Sequence, residues 1–148
     1  MNLADYITEN KGVQRGDEYH DSLIKFLSIE EILKRLGINP PYHAIGFEVK
    51  VSDSAGGSRR CDLAVLNHEL TVIEGKVIRS PNCKTKRIRE INRQLAYDYS
   101  FFKRRKIDIG IRLIGAYRFI DEKEINFYNL PPCGLSIDDL EILQVPGL

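Results

Sequence analysis

Apolar residues recur along this chain with two periods, and the points where one period gives way to the other divide it into elements. The longest helical pattern covers residues 84–105, where Ile88, Ile91, Leu95, Tyr99 and Phe102 step by three, four, four and three along one stripe. Residues 17–27 give an earlier helix, with Leu23, Ile24, Phe26 and Leu27 as its apolar positions. Ser28-Ile-Glu-Glu31 has the form of a capping box that starts a second short helix, which stops at Gly37 because Asn39-Pro40-Pro41 prevents continuation. Strand patterns occupy 46–51, 60–66 and 70–76, and again 109–116 and 125–130; residues 140–145 fit either a strand or a short helix. A polar loop over 52–59, holding Gly56 and Gly57, leads into the second strand.

The second and third strands bracket Asn67-His68-Glu69 and read as an antiparallel hairpin. A turn centred on His68 makes residues whose numbers sum to 136 face each other, which sets Asp62 opposite Glu74 and Arg60 opposite Lys76. Facing Cβ atoms lie about 5 Å apart, and a period of two puts Asp62, Glu74 and Lys76 on one face of the sheet. Two carboxylates that close repel unless a cation lies between them, and hard oxygen ligands favour Mg²⁺ or Mn²⁺. Acid-x-Lys also occurs at Glu9-Asn-Lys11, Glu48-Val-Lys50 and Asp121-Glu-Lys123. Glu9 has no strand before it, Glu48 has no aspartate at hairpin distance, and Asp121 belongs to a charge cluster that reads as a solvated turn. Only Glu74 sits inside an apolar strand with a facing acid.

These residues resemble the PD-(D/E)XK nuclease superfamily, whose core hairpin carries an acid on one strand and acid-x-Lys on the next. Asp62 matches the first acid and Glu74-Gly75-Lys76 the second element, while Cys61 stands where the family has proline. The resemblance covers residues 17–116 and implies an α/β fold with a restriction-endonuclease-like core, a mixed central sheet flanked by helices in the order α-β-β-β-α-β. It also implies Mg²⁺ or Mn²⁺ held by Asp62, Glu74 and the Gly75 carbonyl, with Lys76 orienting a water, and products ending in 5′-phosphate and 3′-hydroxyl. Family members often add a glutamate from the first helix; Glu18 is the candidate, and Glu48 on the neighbouring strand competes as an outer acid. Gln94 resembles the glutamine that several branches carry on the helix after the lysine, but Asp98 occupies the tyrosine position of the RecB-like branch. Geometrically both are flank residues of the long helix, about 100° and 60° from the centre of its apolar stripe.

Charge sharpens the picture. The chain is net +1, yet residues 76–106 hold eleven Lys or Arg against two acids, so that segment is +9 and the remainder −8. A basic stretch that starts beside the acid pair attracts a phosphate backbone. Lys84, Lys86 and Arg87 open the long helix, where free backbone N–H groups also favour anions; Arg59 and Arg60 either grip phosphates or serve structure. The three cysteines and three histidines have neither zinc nor redox spacing, so each is expected to be chemically quiet, the histidines at surface or turn positions. One domain of 148 residues is expected, soluble and intracellular (cytoplasmic), with no targeting or membrane-length apolar run.

The expected activity is a metal-dependent endonuclease acting on nucleic acid, DNA foremost. The small single-domain plan most resembles Holliday junction resolvases and related repair or phage nucleases. Such a chain must form a homodimer to cut two strands together, and Tyr117, Phe119, Phe127 and Tyr128 are candidates for either interface or core. A restriction-type enzyme would need more length for reading bases, and an RNA-directed or toxin-type nuclease has the same fold. An inactive binding module would carry a broken acid-acid-lysine set, whereas here the set is intact.

Overall fold

The computed structural model describes residues 2–14, 16–52, 59–105 and 107–147. Most of the expected glycine loop, residues 53–58, lies outside that set, as does Lys106 of the basic segment. The described chain is mixed α/β. Its elements run α1 (Leu3–Asn10), α2 (Glu18–Leu27), α3 (Glu30–Arg35), β1 (Ala44–Lys50), β2 (Arg60–Leu66), β3 (Leu70–Ile78), α4 (Lys84–Lys103), β4 (Ile111–Phe119), β5 (Ile125–Leu130) and β6 (Leu143–Val145). The six strands form one sheet in sequence order. Every pairing is antiparallel except β3 with β4, where α4 supplies the crossover that a parallel step requires.

Both faces of the sheet are covered. On one side, Leu3 and Ile7 of α1 and Ile88, Ile91, Leu95, Phe101 and Phe102 of α4 join Ala64, Leu70, Val72 and Leu113 in a single apolar cluster. On the other, Leu23, Ile24 and Leu27 of α2 and Ile32 and Leu33 of α3 pack on Leu63, Val65, Ile73 and Ile114. A sheet covered on both sides loses the polar alternation of a half-exposed one, which is why β3 reads as a nearly continuous apolar run. Tyr117, Phe127 and Tyr128 are buried in these clusters and Phe119 is partly buried against one. They are core residues, so the option of an aromatic dimer face in the last third of the chain is withdrawn.

The helix starts differ from expectation in two places. Helix α1 has no counterpart in the sequence reading, although Asn2 caps it by accepting the Asp5 N–H and Leu3 and Ile7 form an i, i+4 apolar pair. Ser28 does not open a capping box. It closes α2, its hydroxyl donating to the Lys25 carbonyl, and Ile29 precedes α3 with no side-chain cap. The stop at Gly37 holds, with φ +82°.

One irregularity shapes the site. Glu48 has φ +50°, a left-handed conformation within a strand. Before it, Ile45 and Phe47 face the α2 side; after it, Val49 and Val51 lie in the α4 cluster, and on β2 Cys61 and Leu63 swap in the same way. A regular period of two would keep each set on one face. The exchange therefore turns both strands over at the Glu48–Asp62 level.

Close packing of β4 against α4 supplies a stability test. A Cβ at Gly115 would fall within the Tyr128 phenol, whose hydroxyl donates to Asn92 Oδ1 of α4 at 2.6 Å. Gly115→Ala should cost about 1–3 kcal/mol or more in denaturant unfolding by forcing that ring out of place; an unchanged midpoint would mean that β4 and α4 are not held this closely.

Candidate active site where β2 and β3 part

The hairpin turn is as expected: Leu63 to Leu66 pair with Ile73 to Leu70, so each pair sums to 136. The ladder ends there because Asp62 replaces a backbone bond with its side chain. Its Oδ2 accepts the Gly75 N–H at 2.8 Å and lies 3.2 Å from His20 Nε2. Asp62 with Glu74 and Arg60 with Lys76 are accordingly not among the paired residues. Arg60 pairs with Lys50 of β1, and its guanidinium donates to the carbonyls of Glu48 (2.7 Å) and Asn10 (3.3 Å). These bonds tie Arg60 to β1 and the end of α1.

The two acids and the lysine nevertheless converge. Asp62, Glu74 and Lys76 line one cleft of about 420 Å³, together with Asp17, the N-cap of α2, His20 of α2, Arg79, Arg87 and Gln94. Gly75 permits this, since a Cβ there would come within 2.8 Å of Ile24 Cδ1 and push α2 away from the sheet. Lys76 forms no ion pair or hydrogen bond among the described residues and is only partly buried, which leaves its ammonium available.

Sequence reasoning misplaced two residues whose helical positions identify them. His20, Leu23, Ile24 and Leu27 stand at i, i+3, i+4 and i+7, so the stripe that buries α2 carries His20 to the site; Glu18, about 200° round from His20, is exposed and does not line the cleft. Of the two candidate accessory acids, Glu48 is the one beside Asp62. Its pKa is raised by burial and then by the Asp62 charge. Asp98, treated as a flank residue, is fully buried. It follows Ile91 and Leu95 by seven and three residues and belongs to the inner stripe of α4.

Three carboxylates thus meet two cations. Glu74 and Asp98 side chains are 1% and 0% exposed, and the Arg59 Nη2 atom reaches both, at 2.7 and 2.9 Å. Burial, then the Asp98 carboxyl and the Asp62 charge, hold the Glu74 pKa well above the usual range. Burial also raises that of Asp98, whose Oδ2 has no hydrogen-bond partner among the described residues. Burial acts to raise Asp62 too, but the His20 hydrogen bond and charge and the Gly75 N–H outweigh it, so Asp62 lies below its ordinary value. His20 is pushed up to about 8 by its hydrogen bond to Asp62, against the effect of its own burial. Cys61, fully buried beside these acids, has its thiol pKa raised well above normal by burial first, which makes it inert.

Among the described residues no three His, Cys, Asp or Glu side chains form a ready metal cage. A Mg²⁺ site needs less, one or two carboxylates with water filling the remainder of the shell. The donor set fits that requirement: two convergent carboxylates, a surplus of buried acid and an orphaned Asp98 oxygen all call for more positive charge than the protein supplies. Gln94 lines the cleft, and its backbone carbonyl accepts from Arg59 at 3.2 Å. At the start of α4, Lys84 and Lys86 are exposed, and Arg87 lines the cleft while paired to Glu90 at 2.9 Å. No family model matches the chain, and neither a curated protein nor a solved structure does. No helix among the described residues is long and apolar enough to cross a membrane.

The His20–Asp62 pair makes the metal-free protein sensitive to pH. A histidine whose folded pKa is raised to about 8 contributes stability that is complete below its ordinary value near 6.5 and is lost as pH rises through 8. In EDTA, unfolding free energy should fall between these values by an amount of order 1–2 kcal/mol more in the parent protein than in His20→Gln. Parallel pH profiles for the two proteins would rule out the pairing.

Proposed function

We propose that this protein is a metal-dependent endonuclease that hydrolyses nucleic-acid phosphodiester bonds, DNA foremost and RNA the alternative. The observation that carries the reading is the convergence of Asp62, Glu74 and Lys76, the last without an ion pair or hydrogen bond among the described residues, in one cleft lined also by Arg79 and Arg87. Supporting it, three strands, a helix and a fourth strand succeed one another from β1 to β4, although two helices, α2 and α3, precede them where the PD-(D/E)XK resemblance implies one, and the acids lie where the hairpin opens.

In this reading Asp62 and Glu74 would hold Mg²⁺ or Mn²⁺, with the Gly75 carbonyl as a further ligand. The cation would supply a more acidic water and a charge to stabilise the phosphate oxygens. The protein does the remainder. The Gly75 N–H and His20 fix the Asp62 carboxylate, so that it meets the cation without reorganising. Lys76 orients the attacking water and offers positive charge to the phosphate oxygens. Glu48 acts as the outer acid beside Asp62. Lys84, Lys86 and Arg87, at the first turn of α4, bind the phosphate backbone. Paired cuts in opposite strands, as in a resolvase of branched DNA, require a homodimer in which each chain contributes its own cleft.

Two sets of variants test the reading. Glu74→Gln and Lys76→Ala should each lower Mg²⁺-dependent cleavage of labelled substrates by roughly 10²-fold or more, leaving binding of the same substrate close to that of the parent. Glu74→Gln cutting as fast as the parent would remove the assignment. Neutralising Lys84, Lys86 and Arg87 together should weaken binding to all sequences alike and reduce the slope of log affinity against log salt by up to roughly 3. An unchanged slope would place the nucleic acid elsewhere.

A further inference from the structure

Arg59 closes the inner side of the cleft and makes an unusual set of bonds. Its Nη2, a nitrogen with two hydrogens, lies within bonding distance of three acceptors: Glu74 Oε2 at 2.7 Å, Asp98 Oδ1 at 2.9 Å and the Gln94 carbonyl at 3.2 Å. Its Nη1 donates to the Arg60 carbonyl at 3.0 Å, and the guanidinium lies 5.7 Å from the centroid of the half-exposed Tyr97 ring. Neither carboxylate receives the two-pronged grip that makes arginine–carboxylate pairs strong, and Asp98 Oδ2 has no hydrogen-bond partner among the described residues. Arg59 thus serves as a point charge between two buried acids, one of which is a proposed metal ligand. Its side chain is 25% exposed, open to the cleft that it lines.

We infer that Arg59 is the resident counter-ion of Glu74 and Asp98, that a divalent cation competes with it for Glu74, and that the released guanidinium becomes a ligand for the substrate phosphate. The inference rests on the metal-dependent reading of the same cleft. Its physical basis is charge: a cation that reaches Glu74 while Arg59 remains there meets a positive neighbour within the same bonding shell, at low local dielectric. Once detached, the guanidinium shares the cleft with Lys76 and with Arg79 and Arg87, which are paired with Asp17 and Glu90. One residue would then link metal loading to substrate affinity without any change of fold.

Competition gives a sign that a purely structural arginine does not. Arg59→Gln keeps a hydrogen-bond donor and removes the charge. Followed by calorimetry with Mn²⁺ alone, it should bind the ion about tenfold more tightly than the parent, the scale expected on losing one charged competitor. Binding of a labelled oligonucleotide is compared in the non-cleaving Lys76→Ala background. Adding Arg59→Gln should leave affinity unchanged in EDTA, where Arg59 stays on Glu74, and lower it several-fold in saturating Mn²⁺. Should Arg59→Gln not fold by circular dichroism, Arg59→Lys, which keeps the charge on a shorter reach, should bind Mn²⁺ more tightly than the parent because its hold on Glu74 is weaker. Weaker or unchanged Mn²⁺ binding by the folded variant overturns the competition, even where the parent binds Mn²⁺ and cleaves. If neither parent nor variants bind Mn²⁺, the metal-dependent reading fails and the inference with it.

Discussion

Glu74 is an acid held out of water beside two others, and the local design of this protein follows from that fact. A buried carboxylate is costly unless a proton, a hydrogen-bond donor or a cation answers it. Here Arg59 reaches Glu74 and Asp98, and His20 reaches Asp62, so that two cations are set against three acids. Burial, with the neighbouring acids adding to it, pushes the Glu74 pKa well upward, and one Asp98 oxygen has no partner among the described residues. Sites that run chemistry on charged substrates carry such unresolved charge, because a fully compensated cluster has nothing left to offer an incoming ion.

The sheet is built to bring that charge together. At Glu48 and Asp62 the two strands turn over, so Asp62 leaves the ladder and uses its carboxylate to bind the Gly75 N–H. Gly75, lacking a side chain, lets Ile24 and hence α2 come close, and α2 delivers His20. From the opposite face, α4 supplies Asp98 and Gln94. Both helices are fixed by their apolar stripes, Leu23–Ile24–Leu27 on one and Ile88–Ile91–Leu95–Phe102 on the other. The polar cluster therefore inherits its geometry from hydrophobic packing on both sides of the sheet. Positive φ at Glu48 has an energetic cost of order 1–3 kcal/mol, located next to the acid pair.

Much of this was legible in the chain itself. Strand and helix periods located α2, α4, β2, β3 and β5 closely, and the three-residue turn at His68 gave the hairpin register over four pairs. The same reasoning brings Asp62, Glu74 and Lys76 to one cleft, though not as ladder partners. What was not legible depends on long-range contacts: the departure of Asp62 from the ladder needs α2 and Gly75, and the fate of Arg60 needs β1 and the end of α1. His20 and Asp98 are a different matter, since each sits on an apolar stripe at helical spacing. A charged or titratable residue on such a stripe, where only apolar side chains are expected, is a site signal in its own right. By angle Asp98 lies on the flank of the stripe that Tyr99 helps to define, yet Tyr99 is only partly buried and Asp98 is fully buried.

The most direct test of the account is anomalous diffraction from crystals soaked in Mn²⁺, because it locates the ion without relying on turnover. A peak bonded to both Asp62 and Glu74 is expected, with the Arg59 side chain moved off Glu74. A saturating soak that yields cleavage-competent crystals, with no peak in this cleft and Arg59 still clasping Glu74 and Asp98, would contradict it.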